Sequence, residues 1–488
     1  MSEIGMRKVL LIAVAAATFV SLEVLAQDAK AAIDAAAKAM GLTTLESIQY
    51  SGTGSVFMFG QAARPEAPWP QFKVIKYVTA VNYNTPALRE ELVRTELGGQ
   101  PRGGGAGGFN PATGQGGMRP LLGEQTQVRQ ATARTEAGLL DIWMTPHGFL
   151  KAAAANGATA KTASVGGRKT ISFLVAGKYT VTGTLNDQNL VERVETLVDN
   201  PVLGDMPVEI TYSDYKDFTG VRFPTRVVRR EAGQPTLDLT ISSVQPNGAA
   251  TLEVRDNPQP ATPPPIRVEA QKIGDAVWDL SAAGLHSVLV EFNDHLVLIE
   301  ASGNDARSNA VIAEVRRLVP TKPIRYLVNT HAHFDHSGGV RAFAAEGATI
   351  ITHEMNKPYF EKVFKNPHRI NPDSLARSGR TAVIEGVGDK RVLTDGVQTL
   401  ELYHIRGNFH NDALLMAYLP KLRVLIQADA FHPRPGAPPY PSPPQFTVNL
   451  VENIQRLKLD VAQVLHIHGG IDPFAAVAKA AGRQPSTQ

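Results

Sequence analysis

The chain is predicted to be α+β and built in two parts, a β-rich N-terminal half and a C-terminal half in which buried strands lead into helices. Three observations carry this expectation. At 488 residues the chain exceeds one ordinary domain. The segment NPQPATPPPI, beginning at Asn257, holds five prolines and reads as an extended, semi-rigid linker. The hydrophobic pattern also changes across it. Before it, apolar and polar residues alternate as in half-exposed strands; after it, the unbroken apolar run Ile324 to Val328 reads as a buried strand that precedes a helix at Val340 to Glu346. The expected units are a leader at 1–26, a β-rich domain at 27–255, a linker at 256–265 and a strand-and-helix domain at 266–488.

Taken in order, the N-terminus carries Arg7 and Lys8 before an apolar stretch, Val9 to Val20, and Val24-Leu25-Ala26 suits a cleavage site ahead of Gln27. The stretch is short for a membrane span and Glu23 interrupts its end, so a removed leader is expected, and with it a periplasmic or secreted protein. Asp28 to Met40 is alanine-rich and helical. Phe173 to Leu185 and Leu190 to Val198 read as two strands around Asn186-Asp187, a hairpin signal. Val208, Ile210 and Tyr212 alternate with polar residues, as do Leu237, Leu239 and Ile241. The glycine-rich run at 98–117 lacks the preceding strand, following helix and Gly-Lys-Ser/Thr ending of a phosphate loop, and is expected to be a surface loop.

Composition narrows the function classes. With 43% hydrophobic and 19% charged residues the chain can bury sizeable cores. The formal charge of +3 is small for this length, so no nucleic-acid partner is implied, and a small-molecule substrate is expected. No integral membrane segment is expected once the leader is removed, and oligomeric state is not legible. The chain has no cysteine, which excludes disulfides, a lipid-modified cysteine and a thiolate metal ligand.

The most specific feature is THAHFDHSGG, starting at Thr330. It offers His331, His333, Asp335 and His336 as ligands, and imidazole nitrogens with a carboxylate suit zinc and similar divalent cations. In an extended segment alternate side chains share a face, so His331, His333 and Asp335 can converge while a turn brings in His336. Ser337-Gly338-Gly339 is expected to let the backbone bend tightly. Four such side chains buried without a cation would repel or stay unpaired.

The pattern HxHxDH, with Thr330 and Gly338-Gly339 beside it, resembles the signature of the metallo-beta-lactamase superfamily. Further residues carry the resemblance from about Ile266 to the C-terminus. His410 in GNFHNDALLMAYLP precedes an apolar strand, Ala413 to Leu419; Asp429 follows the strand in RVLIQADAF; and His468 in LHIHGG has the expected His-Gly pair, with His466 as its competitor. The opening AVWDLSAAGLHSVLVEFNDHLVLIEA resembles the family's two strands joined at a polar turn, here Asn293-Asp294; where many relatives end the second strand in aspartate this chain has Glu300, for which hydrogen-bonding a ligand histidine is one open role. The resemblance implies a four-layered αβ/βα sandwich holding two divalent metal ions, zinc being the expected one. His331, His333 and His410 would hold one, Asp335, His336 and His468 the other, and Asp429 would bridge. It further implies that a metal-activated hydroxide cleaves an ester, lactone, amide or beta-lactam bond, with Asp335 able to orient the nucleophile or accept a proton.

His432 opens a proline-rich stretch to Pro444, expected either to touch substrate from a rim loop or to be a surface residue. Tyr403, His404 and His353 read as structural. Two other functions stay open. One is an iron-dependent sulfur dioxygenase. The other is a carrier of an apolar molecule, because ITYSDYKDFTGVRFPTRVV is weakly similar to periplasmic lipoprotein-carrier domains, in which a helix packs into an antiparallel half-barrel. An accessory domain that merely shapes the entrance of the site fits the same residues.

Overall fold

Curvature of one large sheet organises the N-terminal half. The computed structural model describes residues 28–97, 123–156, 159–162, 168–248, 265–433 and 442–483. The leader, the glycine-rich run and all but the end of the linker lie outside the described residues. After helix α1 (residues 28–40), the strands are β1 (Ser47–Phe57), β2 (Gln71–Asn82), β3 (Ala87–Glu96), β4 (Gln125–Thr132), β5 (Thr159–Thr162), β6 (Lys169–Val175), β7 (Tyr179–Leu185), β8 (Val191–Asn200), β9 (Gly204–Phe218), β10 (Val221–Glu231) and β11 (Gln234–Pro246), with α2 (Glu136–Trp143) and α3 (Pro146–Ala155) between β4 and β5. They form one sheet in the order β4-β3-β2-β1-β11-β10-β9-β8-β7-β6-β5, antiparallel throughout.

Helix α2 packs on β3 and β4 near one end of that order and on β6 near the other. Laid flat, β4 and β6 would be about 43 Å apart at roughly 4.8 Å per strand, whereas an eight-residue helix spans only about 12 Å. The sheet therefore curls around the helices. Its concave side is filled by apolar side chains such as Ile33 and Met40 of α1, Ile142 of α2 and Phe149 of α3, all in one cluster with Val181 and Phe223.

Two local expectations need correction here. Phe173 to Leu185 is not one strand but the end of β6 and all of β7, reversing at Ala176-Gly177, where both residues have positive φ. The apolar flanks conceal this turn, which has no Asn, Asp or Pro to announce it. The hairpin around Asn186-Asp187 is present as β7 paired with β8. Val208, Ile210, Tyr212, Leu239 and Ile241 are buried, and Leu237 is half-buried.

The C-terminal half is a sandwich of two sheets. One has β12 (Glu269–Gly274), β13 (Val277–Ala282), β14 (Leu285–Glu291), β15 (Leu296–Ile299), β16 (Ile324–Val328), β17 (Thr349–His353) and β18 (Ile384–Val387) in sequence order; the other has β19 (Lys390–Thr394), β20 (Thr399–His404), β21 (Leu415–Leu419), β22 (Val424–Gln427), β23 (Gln463–His466) and β24 (Gly470–Pro473). Val288, Ile299 and Val328 of the first sheet meet Leu402, Met416 and Leu425 of the second in a shared apolar layer. Helices α4 (Asp305–Leu318), α5 (Phe334–Ser337), α6 (Val340–Glu346), α7 (Lys357–Val363) and α8 (Ser374–Ser378) follow the first sheet's strands, and Val311, Phe343 and Phe360 pack on its outer face. Helices α9 (Gln445–Arg456) and α10 (Phe474–Ala480) bury Leu450, Ile454 and Val477 against the second. The result is the four-layered α+β arrangement. Among the described residues no helix is long and apolar enough to cross a membrane.

The opening of this half has three strands rather than two, because the chain also reverses at Ala283-Gly284, again in an apolar context that hides the turn. The strand expected from Ala413 begins at Leu415, whose N–H leaves the sheet to donate to the Thr330 carbonyl. Gly338 and Gly339 have ordinary right-handed backbone angles, so the expected bend is not why glycine stands there. A Cβ on Gly338 would lie 2.0 Å from the Gly303 carbonyl oxygen, and one on Gly339 2.0 Å from Ser308 Oγ; close approach of α4's start to this segment is the reason.

β15, β16, β17 and β18 run parallel, as do β22 and β23, while β20 and β21 are antiparallel neighbours. The C-terminal ends of β15, β16, β20, β22 and β23 therefore open on one edge of the sandwich. That edge carries the site.

Candidate metal centre

Five strand ends supply the side chains. Glu300 follows β15; His331, His333, Asp335 and His336 follow β16; His410 lies between β20 and β21; Asp429 follows β22; and His468 follows β23. The segment after β16 is not extended throughout. From His333 it closes into a helical turn, with Ser337 N–H donating to the His333 carbonyl at 2.9 Å and Gly338 N–H to that of Phe334 at 3.0 Å. Asp335 therefore does not share a face with His331 and His333 by strand alternation, as expected from sequence. The turn swings it beside His336 instead.

Two groups of donor atoms result. His331, His333, His410 and Asp429 form one, Asp335, His336, Asp429 and His468 the other, and each could hold a metal ion. Asp429 lies between them. Its Oδ2 is 3.3 Å from His331 Nε2, 3.1 Å from His336 Nε2 and 2.8 Å from His410 Nε2, and its Oδ1 is 3.1 Å from His468 Nε2. Asp335 Oδ2 is 3.5 Å from His336 Nε2 and 3.7 Å from His468 Nε2. His333 Nδ1 faces His410 Nε2 at 3.1 Å, and His336 Nε2 faces His468 Nε2 at 3.0 Å.

Two tautomers follow from the outer contacts. Thr330 Oγ1 lies 3.0 Å from His331 Nδ1, Glu300 accepts from His336 Nδ1 at 2.7 Å, and the Ala62 carbonyl accepts from His333 Nε2 at 2.8 Å. The protons on His336 Nδ1 and His333 Nε2 leave His336 Nε2 and His333 Nδ1 with lone pairs directed inward, and the Thr330 hydroxyl, which can donate or accept, is compatible with the same arrangement at His331. Glu300 also accepts the Thr330 N–H at 2.7 Å and holds a left-handed backbone conformation, φ 71°, unusual away from glycine and typical of strained site residues.

Electrostatics agree with a cation. Burial, reinforced by His336 and His333, pushes His331 well below its ordinary range, and burial with His410 brings His333 down to about 3, so both stay neutral donors. Burial alone would raise Asp335 and Asp429, but His336 and the other imidazoles outweigh it and hold both carboxylates down. Burial would lower His336, yet Asp429, Asp335 and Glu300 raise it well above its usual range: the carboxylates here demand a positive charge. Both oxygens of Asp429 and Nε2 of His331 are buried without a hydrogen bond. Buried polar atoms of this kind are rare unless something binds them, and a divalent ion fits the nitrogen and oxygen donor set.

The competitor His466 points elsewhere: its Nδ1 is 2.7 Å from Gln427 Nε2 and its Nε2 3.4 Å from Asp472. His432 is buried rather than exposed on a loop surface, with Nε2 3.7 Å from Asp429 Oδ1 and its ring 5.4 Å from that of His468; residues 434–441 beyond it lie outside the described residues. Tyr403 bonds Glu401, while His404 bonds the Asp412 carbonyl and packs on His353. Sequence reasoning missed Gln61, whose Nε2 donates to Asp335 Oδ1 at 2.8 Å, the Ala62 carbonyl, and Asn411, which donates to that carbonyl at 3.2 Å. No local signal marks a residue that arrives from the other half of the chain. Beside His333 and Asn411, a cavity of about 320 Å³ opens between the halves, walled by Trp69, Leu203, Tyr359 and Val363.

Residues 284–468 match the family model of the metallo-beta-lactamase superfamily, and the C-terminal half has that fold. The chain is similar to a metallo-beta-lactamase from Pontibacter korlensis, at 17% identity and a TM-score of 0.35 over 44% of this chain and 98% of that one. It is also similar to rubredoxin oxygen:oxidoreductase from the anaerobe Desulfovibrio gigas, at 17% identity and a TM-score of 0.34 over 44% of this chain and 59% of that one. A third similar structure is the DIM-1 metallo-beta-lactamase exposed to ceftazidime, at 15% identity and a TM-score of 0.34 over 45% of this chain and 96% of that one. No curated protein matches the chain.

Proposed function

We propose that the metallo-beta-lactamase-superfamily domain makes this protein an exported, dinuclear zinc hydrolase acting on an ester, lactone, amide or beta-lactam bond. The observation that carries this reading is the pair of donor groups meeting at one buried, unbonded carboxylate, Asp429. His331, His333 and His410 would hold one ion and Asp335, His336 and His468 the other, with Asp429 shared. Zinc ions there would lower the pKa of water from 15.7 to about 7 and polarise the electrophile.

The chain's own residues do the remaining work. Glu300 and the Ala62 carbonyl keep His336 and His333 in the tautomers that present lone pairs inward, and the Thr330 hydroxyl anchors the ring of His331. Asp335, held ionised by His336 against the effect of its burial, has one oxygen engaged by Gln61 and the other turned to the cluster, where it can orient a nucleophile or take up its proton. The near-complete burial of the ligands excludes bulk water and strengthens each of these contacts. Export is supported by the basic and apolar leader pattern, Arg7-Lys8 and Val9 to Val20.

Elemental analysis and a hydrolysis panel test this. Purified protein should hold close to two zinc equivalents and hydrolyse one of a beta-lactam, an acyl-homoserine lactone and an aryl ester, and His331→Ala should lose both metal and turnover. A folded, metal-free wild type, or iron with oxygen uptake in place of hydrolysis, would overturn the proposal.

A further inference from the structure

Between β1 and β2 the chain makes a long excursion, residues 58–70, out of the curled sheet and against the metal centre. Phe59 packs edge-on to Phe334 with ring centroids 5.0 Å apart, and the Phe334 N–H donates to the Gly60 carbonyl at 3.2 Å. Gly60 has φ 74°, and a Cβ there would lie 2.4 Å from Phe334 Cγ, so only glycine allows this approach. Asp412 N–H donates to the Ala63 carbonyl at 2.7 Å, and Arg64 faces the Asp412 carboxylate at 3.7 Å.

The two residues between Gly60 and Ala63, Gln61 and Ala62, touch metal-ligand candidates themselves. A carbonyl can only accept, so the Ala62 oxygen fixes the proton of His333 on Nε2 and leaves Nδ1 for the cluster. The Gln61 amide, itself buried, occupies Asp335 Oδ1 and leaves Oδ2 as the oxygen facing His336 and His468. Each of the two donor groups thus has one member oriented from the N-terminal half.

We infer that Gln61 is a positioning residue for the second metal position: its amide commits Asp335 to bind through one oxygen, so the N-terminal half forms part of the metal centre. This rests on the metal-dependent reading above. Without the amide, Asp335 Oδ1 is left buried and unpaired, and the carboxylate is free to rotate. Loss of a group that orients a metal ligand typically weakens affinity about 10- to 100-fold.

Stepwise titration of metal-stripped protein with cobalt(II), followed by its visible spectrum and by competition with a chelator, reads the two positions separately. In Gln61→Leu one cobalt step should lose about 10- to 100-fold in affinity with altered bands, the other step staying within about twofold. Arg64→Ala removes a contact of the same excursion without touching a ligand, and should leave both steps and both spectra as in the wild type. Gln61→Leu with unchanged steps, or with both steps weakened equally, overturns the inference, as does Arg64→Ala reproducing the Gln61→Leu loss, which would reduce the contact to docking. A wild type that takes up no cobalt would overturn the hydrolase reading as well, and so separates the two failures.

Discussion

The curled N-terminal sheet and the edge of the C-terminal sandwich bury opposite kinds of interior. Inside the sheet, apolar side chains from three helices and both sheet ends interlock, and Tyr212 and Tyr215 direct their hydroxyls to the Met144 and Val191 carbonyls, at 2.5 Å and 2.6 Å, with isolated polar atoms such as Thr79 Oγ1 scattered among them rather than gathered at one point. At the sandwich edge, imidazoles face one another across two carboxylates, and Asp429 is buried with neither oxygen hydrogen-bonded. The first interior is explained by folding alone. The second would destabilise the fold if left uncompensated, so it marks the place where something other than folding has set the residues.

The contrast can be broken at three points, in order of expected effect. Phe149 is fully buried in the N-terminal core, where it lies so close to Gly183 that a Cβ there would sit 2.2 Å from the ring. Phe149→Ala should cost roughly 3–5 kcal/mol in denaturant unfolding, while metal content per folded molecule stays constant. A fall in metal content under native conditions would show that core packing and metal centre are not separable in this way.

His147 is a titratable exception within the apolar core. It is fully buried on Phe223, and burial brings its pKa down to about 4. Because the folded value lies below the unfolded 6.5, the native state binds fewer protons between those limits. Stability is then fully present above pH 6.5 and is lost as pH falls toward 4, by about 3 kcal/mol. His147→Phe should abolish that part of the slope, and the difference between the two unfolding curves measures it. Parallel curves would mean that His147 is solvated or charged in the native state.

The smallest effect is expected at Glu300, where Glu300→Gln keeps the shape and removes the charge that holds His336 Nδ1. Metal affinity measured by chelator competition should fall about 10- to 100-fold. An unchanged affinity would show that His336 is oriented by its packing instead.

Much of the sandwich edge was legible because each ligand sits in a short, local context: an apolar strand followed by a polar residue at its end. The strand Ile324–Val328 and the helix Val340–Glu346 appear with the expected bounds. Local context also explains the errors. Ala176-Gly177 and Ala283-Gly284 turn the chain between apolar runs that read as continuous strands, and Asp335 moves off its expected face because a helical turn begins two residues earlier. The contribution of Gln61 was illegible for another reason: it meets Asp335 across 274 positions of sequence, and a glutamine in a loop carries no pattern of its own.

Where both donor groups take a cation, the sharing of Asp429 would make the two positions a linked equilibrium. A cation at either position changes the charge on the carboxylate that the other must use, and removes the flexibility of a ligand common to both. Thermodynamic reciprocity then requires the first ion's effect on the second to equal the second's effect on the first. On the dinuclear reading, the loading curve would accordingly be set by an interaction energy as well as by two site affinities, and its cooperativity, of either sign, would read what that one carboxylate contributes.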